Sequence, residues 1–231
     1  MDEVVDRLRD GAAPYFARQA AISACLGRQG RFNGLVRDLT PAELVVLLYC
    51  PDRDIAQEAQ LAIETNASSG IYSDALILVL EDDRHPNRRI AQWCVLDMFE
   101  DLPSFCPDPK SQSRAIDAVK TLIWSAGDDY ARTVYKAGVV LGGHICTAPA
   151  AEALLACVEA PSKFGRRSAI HAVFHLAEWM PEYRERTVEA LERAAKTDPE
   201  ERLREFAASM ARDVRSGAFD HMTEPAFPGE L

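Results

Sequence analysis

The sequence predicts an all-α fold in which helical hairpins stack into a solenoid, because the chain repeats itself at a regular interval. Residues 53–65 (RDIAQEAQLAIET) align with residues 88–100 (RRIAQWCVLDMFE), 35 positions later. Residues 88–103 align with residues 166–181 (RRSAIHAVFHLAEWMP), 78 positions later, which is two units of 39. A repeat of roughly 35–45 residues is typical of stacked helical hairpins. The chain of 231 residues is therefore predicted to form one continuous helical array.

Each repeat is predicted to hold two helices, which gives about five hairpins. Apolar residues recur at three- and four-residue spacing, as at Ala115, Val119 and Leu122, and this spacing marks a helix with one buried face. The first helices are predicted at residues 40–50, 71–82, 113–126, 148–160 and 184–197, and their partners near Arg53, Arg88, Asp129, Phe164 and Glu200.

The ends and joints of the array carry their own sequence features. Thr40, Pro41 and Glu43 predict a helix start, with an N-cap hydroxyl, proline at the first helical position and an acid at N3. Residues 100–110 (EDLPSFCPDPK) contain three prolines and are predicted to lengthen the connection after the second hairpin. The boundaries assigned are residues 1–34 for N-terminal capping helices and a loop, 35–215 for the solenoid, and 216–231 for a C-terminal tail.

The tail has no helical period, but it carries Phe219, Met222 and Phe227. The end of a solenoid leaves an apolar face that needs a cover. This favours a tail that folds back over the last hairpin. The alternative is a flexible docking peptide.

Composition and charge exclude several classes of function. Apolar residues make up 48% of the chain and charged residues 27%, as in ordinary soluble proteins. The net charge is −10, with 36 acidic against 26 basic residues. Nucleic-acid binding depends on neutralising phosphates with Lys and Arg, so general nucleic-acid binding is disfavoured. The longest apolar runs, 44–50 and 75–80, are too short to span a bilayer.

The six cysteines are scattered and include no C-x-x-C pair. They are Cys25, Cys50, Cys94, Cys106, Cys146 and Cys157. Together with a charged, acidic N-terminus, this usage predicts a reducing, cytoplasmic location without disulfides. Cys106, in the proline-rich insert, is predicted to be the most exposed thiol.

The helical hairpins, their length and a recurring Arg-x-x-Ala…Leu pattern in the second helices resemble HEAT repeats over about residues 40–215. Within that superfamily, the short units are most similar to the E/F-type phycobilin lyases and their relatives in cyanobacteria. This resemblance implies attachment or removal of open-chain tetrapyrroles on phycobiliproteins, a role in phycobilisome turnover, or a role in iron–sulfur assembly. It assigns no catalytic residue, because no diagnostic lyase motif matches particular positions here.

Two other groups of HEAT-type enzymes have features that this sequence lacks. Deoxyhypusine hydroxylases bind two irons through repeated His-Glu dipeptides, and this sequence has none. Alkylpurine DNA glycosylases of similar length need a basic groove for duplex DNA, which the charge of −10 disfavours.

Polar and aromatic residues recur at equivalent positions of the second helices, which usually line the concave face of such arrays. These positions lie at i, i+4 and i+7 of each helix and share one face. The alignment pairs Trp93 with His171, Asp97 with His175, and Glu100 with Glu178. The helix between them adds Arg132, Tyr135 and Lys136. We predict that these nine residues form a binding surface for a partner or ligand.

Two groups of residues could support metal or thiol chemistry, but each also has a simpler interpretation. His171, His175 and a carboxylate could chelate a metal, but no second cluster supplies the remaining ligands, so a polar ladder is favoured. Cys146 beside His144 could be an activated thiol, or a ligand of an iron–sulfur cluster shared with a partner. The favoured interpretation is that Gly142 and Gly143 end a helix whose dipole contacts His144.

Two of the predicted second helices begin with a pair of arginines, at 88–89 and 166–167. We predict that they are structural, in ion pairs with Asp82, Asp83 or Glu159. The alternative is that they grip bilin propionates. Trp124 lies in an apolar stripe and is predicted to belong to the core, whereas Trp93 is the aromatic residue expected to touch a partner.

The sequence thus predicts a non-catalytic or chaperone-like scaffold that binds another protein on its concave face. By the resemblance, the client belongs to phycobiliprotein maturation or turnover. One alternative is a bilin lyase or lyase subunit that holds a bilin ligand on the same face. The other is an adaptor in iron–sulfur cluster assembly.

Overall fold

A computed structural model describes residues 39–65, 69–127 and 131–219. Every regular element in these ranges is a helix, which confirms the all-α class. The predicted N-terminal capping helices and loop (1–34) lie outside the described residues. The part of the tail that begins at Asp220 lies outside them as well.

Each predicted helix of the five hairpins has a counterpart in the structure. The α-helices are α1 (Pro41–Leu47), α2 (Arg53–Glu64), α3 (Ser73–Glu81), α4 (Arg88–Met98), α5 (Leu102–Phe105), α6 (Pro109–Trp124), α7 (Ala131–Val139), α8 (Ala148–Cys157), α9 (Lys163–Trp179), α10 (Arg184–Thr197) and α11 (Glu201–Ser216). Short 3-10 helices occupy Ser69–Tyr72, Phe99–Asp101 and Pro181–Tyr183, and a π-helix occupies Val140–Ile145.

The described helices belong to two compact units. The first runs to Met98 and includes Leu102–Ser111, and the second contains Phe99–Asp101 and the chain from Gln112 onward. In the first unit, α1 packs on α2, α3 packs on α4, and α2 also contacts α4. In the second, α8 packs on α9, α10 packs on α11, and α9 contacts both α7 and α11.

Capping residues fix where helices begin. The Thr40 hydroxyl accepts the N–H of Glu43 at 3.4 Å, and the Glu43 carboxylate accepts the N–H of Thr40 at 3.0 Å. This reciprocal pair is the predicted capping box. Ser162 caps α9 through a single hydrogen bond, since its hydroxyl accepts the N–H of Phe164 at 3.2 Å.

Helix α9 is the centre of the second unit and is buried on nearly all sides. It contacts α7, α8, α10, α11 and the π-helix. Its buried stretch from Phe164 to Leu176 mixes large apolar side chains with small residues such as Ser168, Ala169 and Ala172. Each large side chain removed from water stabilises the fold by about 1.5–3 kcal/mol. The small residues let neighbouring helices approach, which positions the side chains described below.

The proline-rich insert contains a short helix that the sequence did not predict. Residues Leu102–Phe105 form α5, which packs on the 3-10 helix Ser69–Tyr72. The hydroxyl of Ser73 donates to the carbonyl of Phe105. Cys106 is therefore fully buried at 0% exposure, and the prediction that it is the most exposed thiol is wrong. The local proline content suggested an open loop, but packing inside the first unit decides the burial.

Helix α6 begins at Pro109, four residues before the predicted start. The Asp108 carboxylate accepts the N–H groups of Lys110 and Ser111, both at 3.0 Å, and so caps the helix. The hydrogen bond from the Ser111 hydroxyl holds the pKa of the Asp108 carboxyl below its usual value. Trp124 ends this helix and is 41% exposed, so its predicted place in the core is also wrong. Position 124 lies about 100° around the helix from the buried Ile123.

The glycines predicted to end the third pair of helices lie inside the π-helix. Gly142 is buried, and a Cβ atom added there would overlap the carbonyl oxygen of Ala172 in α9. The close approach of the two backbones explains the need for glycine at this position. The chain leaves the π-helix at Cys146, which adopts the left-handed conformation with φ 42°.

Candidate functional site

The candidate site lies where α7 and α9 run side by side in the second unit. A Cβ atom on Gly138 would overlap the hydroxyl of Ser168, so glycine is what allows the two helices to lie this close. The Ser168 hydroxyl donates to the carbonyl of Val134 at 2.7 Å, and this bond joins α9 to α7. The close pairing brings Tyr135 of α7 onto His171 of α9.

Four side chains follow one another along this pair of helices, and we call them the Tyr-His face: Tyr135, His171, His175 and Glu178. Tyr135 Oη lies 2.7 Å from Nε2 of His171, and the two rings are 4.6 Å apart. His171 Nε2 lies 3.1 Å from Nε2 of His175. His175 Nδ1 lies 3.5 Å from Oε2 of Glu178.

The geometry favours one arrangement of protons on the His175 imidazole. A carboxylate beside Nδ1 of His175 favours the tautomer with hydrogen on Nδ1. Nε2 of His175, which faces Nε2 of His171, is then an acceptor. Glu178 therefore favours one tautomer of His175 from the end of the series. Burial decreases in the same direction, from His171 at 6% exposure to the exposed Glu178.

A second polar group, the Glu100 trio, comprises Glu100, Lys136 and His144. The ammonium of Lys136 forms a close ion pair with the Glu100 carboxylate. His144 Nε2 lies 3.8 Å from the same Glu100 oxygen, Oε1. This group forms because the 3-10 helix Phe99–Asp101 packs against the π-helix that carries His144.

The trio and the Tyr-His face are neighbours. A Cβ atom on Gly143 of the π-helix would lie 3.9 Å from Cβ of His175. Tyr135 and Lys136 are consecutive on α7. The guanidinium carbon of Arg167 lies 5.7 Å from the centre of the Tyr135 ring, within cation–π range. Cationic, aromatic, imidazole and acidic groups thus alternate over one patch of the second unit.

Six of the nine residues predicted for the binding surface lie in this patch: Glu100, Tyr135, Lys136, His171, His175 and Glu178. Arg132 is exposed at the start of α7. Trp93 and Asp97 belong to the first unit, where Trp93 is 38% exposed and Asp97 is half-buried. The patch also contains His144, which the sequence placed at a helix end rather than in the surface.

The arginine pairs do not share one role. Arg166 is buried and donates through Nε to Oδ2 of Asp198 at 2.7 Å, while Glu159 pairs with Arg193 instead. The structural role predicted for Arg166 is thus observed, but Glu159 as its partner is wrong. Arg88 donates to the carbonyl of His85 at 3.1 Å. Arg167 is half-buried beside Tyr135.

The described cysteines are poorly suited to nucleophilic chemistry. Burial raises the pKa of Cys94 to about 12, with a further contribution from the charge of Asp97. Burial likewise raises the pKa of Cys157 to about 12. Cys146 is half-buried, and its pKa is also raised by burial, which is the opposite of what an activated thiol needs.

Over the ranges that the structure describes, no three His, Cys, Asp or Glu side chains are grouped so that they could hold a metal ion. Nor does any helix in these ranges have the length and apolar character needed to cross a bilayer. Comparison with protein-family models, with curated proteins and with solved structures finds no match to this chain.

Proposed function

We propose that this protein is a HEAT-type adaptor that binds another protein through the Tyr-His face and the adjoining Glu100 trio. The observation that carries the proposal is the continuous series of contacts from Tyr135 to Glu178 along one helix pair, in which exposure rises from the buried His171 to Glu178. Such a series presents polar and aromatic groups to a partner in a fixed geometry.

The close packing of α9 supports this role. Interface residues that are already ordered lose little conformational entropy on binding. His171 and Phe174 are buried, and His171 contacts Tyr135 and His175 on either side. Tyrosine and arginine are among the residues most often responsible for binding energy at interfaces. Tyr135 and Arg167 would supply both types here.

The solenoid architecture is part of the same proposal. In a stacked repeat, each second helix contacts the second helix of the next hairpin. Within the first unit α2 contacts α4, and within the second α9 contacts α7 and α11, as such stacking requires. By the resemblance to E/F-type lyases and their relatives, we propose a phycobiliprotein subunit as the client. The cytoplasmic location stays a prediction.

A bilin lyase is the second candidate, favoured by one contact. Arg167 is half-buried against the Tyr135 ring, next to His171, and a guanidinium there could pair with a bilin propionate. Under this alternative, the protein would bind the free bilin as well as the subunit that accepts it.

The experiment is a calorimetric titration of the full-length protein with purified phycobiliprotein subunits, with and without bilin. Lys136→Ala/His175→Ala is expected to weaken binding at least about tenfold, or about 1.4 kcal/mol. The matched control is Lys196→Ala, which removes a lysine on the exposed surface of α10. Circular dichroism should show equal helicity in all variants.

Equal affinity of the double variant and the control would place the binding site elsewhere. No binding by the wild-type protein would reject phycobiliproteins as the client. A saturable change in the absorption of free bilin, lost in Arg167→Ala, would favour the lyase.

A further inference from the structure

The two histidines of α9 face each other through the same ring nitrogen. His171 and His175 are four residues apart and therefore lie on one side of the helix. Their Nε2 atoms are 3.1 Å apart. The rings are inclined at 71°, with 4.8 Å between the ring centres. Both imidazoles thus present Nε2 to one shared point in space.

These distances fit two ligands of a single metal ion. The bond between a metal such as zinc and an imidazole nitrogen is about 2.0–2.1 Å long. An ion bonded to both Nε2 atoms at this length, with the nitrogens 3.1 Å apart, makes an N–metal–N angle of about 100°. The ring centres are then about 4.8 Å apart, which is the separation observed. A straight N–H···N hydrogen bond between the same atoms would place the ring centres about 5.4 Å apart.

Each histidine also has an oxygen beside its other ring nitrogen. Glu178 Oε2 lies 3.5 Å from Nδ1 of His175, and Tyr135 Oη lies 3.2 Å from Nδ1 of His171. Coordination through Nε2 requires that Nδ1 carry the hydrogen, and an oxygen next to Nδ1 favours this tautomer. The Tyr135 oxygen is also 2.7 Å from Nε2 of His171, so it would adjoin the ion.

We propose that His171 and His175 bind one late first-row divalent cation, such as Zn²⁺, through their Nε2 atoms. Imidazole nitrogens suit zinc, nickel and copper, whereas magnesium and calcium prefer oxygen ligands. Within the described ranges, no third His, Cys, Asp or Glu completes a group that could hold a metal ion, so water takes the remaining positions. The His175 side chain is 28% exposed, which gives the ion and its water a route from solvent. This site goes beyond the proposed function, because it needs no client.

The first test is a calorimetric titration of the full-length protein with Zn²⁺. The wild type should bind one ion per chain, and His175→Ala should lose this binding because one of the two ligands is gone. Glu178→Gln should weaken it about tenfold, since a neutral amide favours the required tautomer of His175 less strongly. The matched control is His221→Ala, which removes a histidine of the tail and should bind zinc as the wild type does. Mg²⁺ should not compete with zinc.

The second test identifies the ligands by X-ray absorption at the zinc edge, with one equivalent of Zn²⁺ on the wild-type protein. The spectrum should show two imidazole nitrogens at about 2.0–2.1 Å and oxygen in the other positions. Sulfur at about 2.3 Å would place the ion on a cysteine and overturn the proposal.

Three calorimetric results would also overturn it: no saturable binding by the wild type, full binding by His175→Ala, or loss of binding in His221→Ala. Unchanged affinity in Glu178→Gln would contradict the part assigned to the carboxylate. Circular dichroism should show equal helicity in all variants. No client takes part in these experiments, so their failure leaves the proposed function standing, and a failed client titration leaves the metal site standing.

Discussion

Arg166→Ala is expected to lower the free energy of unfolding by about 3–5 kcal/mol. Arg166 donates to both carboxylate oxygens of Asp198, at 2.7 and 3.3 Å, and to the carbonyls of Ala160 and Pro161 at 3.1 and 2.9 Å. The Asp198 side chain is 1% exposed. Without Arg166, this carboxylate would stay buried with the N–H of Glu200, at 2.9 Å, as its remaining donor. A buried charge deprived of its partner is the costly case.

The matched control for this prediction is Arg193→Ala. Arg193 Nε lies 2.9 Å from Oε1 of Glu159, but both side chains are more than half exposed. Solvent screening limits such pairs to about 0–1 kcal/mol. Urea unfolding of both variants should give unchanged m values and clearly different midpoints. Similar small losses of unfolding free energy in the two variants would show that the bonds from Arg166 to residues 160–161 and to Asp198 contribute little to stability.

Gly142→Ala is expected to destabilise the protein by about 1–3 kcal/mol, although alanine in place of glycine ordinarily favours a helix by about 0.5–1 kcal/mol. The new methyl group would overlap the carbonyl oxygen of Ala172 and approach a Leu154 methyl at 2.9 Å. Backbone atoms cannot rotate away, so the π-helix must move off α9. Since this segment carries His144 and borders His175, partner binding should weaken as well.

Gly143→Ala is the control, one residue along the same π-helix. A Cβ atom there meets its nearest neighbours at 3.9 and 4.0 Å, which is ordinary contact. This variant should unfold within about 1 kcal/mol of wild type. Thermal unfolding resolves the difference, because 1 kcal/mol shifts Tm by about 2–4 °C at this chain length. A Gly142→Ala protein as stable as Gly143→Ala would contradict the close packing of the π-helix on α9.

The helices could be predicted because the spacing of apolar residues and the capping residues of a helix lie within its own short stretch of sequence. The apolar stripe of α6 and the capping box at Thr40 depend on residues within a turn or two of each other. The exposure predicted for Cys106 and the burial predicted for Trp124 were wrong, because tertiary packing decides the burial of these two side chains. Proline content suggested an exposed loop around Cys106, yet a neighbouring 3-10 helix covers it. An apolar run suggested burial for Trp124, yet this last residue of α6 is 41% exposed.

The candidate site could be predicted as a set of positions, but not as a geometry. Helical spacing put His171, His175 and Glu178 on one face, because positions i, i+4 and i+7 of a helix face the same way. The contact between Tyr135 and His171 depends on the close approach of Gly138 to Ser168. The spacing of residues in the sequence does not predict this approach. His144 was missed because a π-helix has a wider turn than an α-helix and changes which residues share a face.

Contacts between residues far apart in the chain could not be predicted from the sequence either. Glu159 was the acid nearest to Arg166 along the chain, but Asp198, 32 positions away, is its partner. Phe219 could be assigned to a tail that folds back, and its ring does pack on Phe174. Neither the Schellman motif that ends α11 at Gly217 nor the position of Arg184 over the ring follows from composition alone.

We propose that the Tyr-His face and the Glu100 trio bind another protein. The most direct measurement is affinity capture from a lysate of the source organism, with the full-length protein as bait and quantitative mass spectrometry as the readout. Bait carrying Lys136→Ala/His175→Ala should lose the captured client at least about tenfold, while Lys196→Ala bait retains it. Recovery of the same client in equal amounts by all three baits would show that this surface does not bind it.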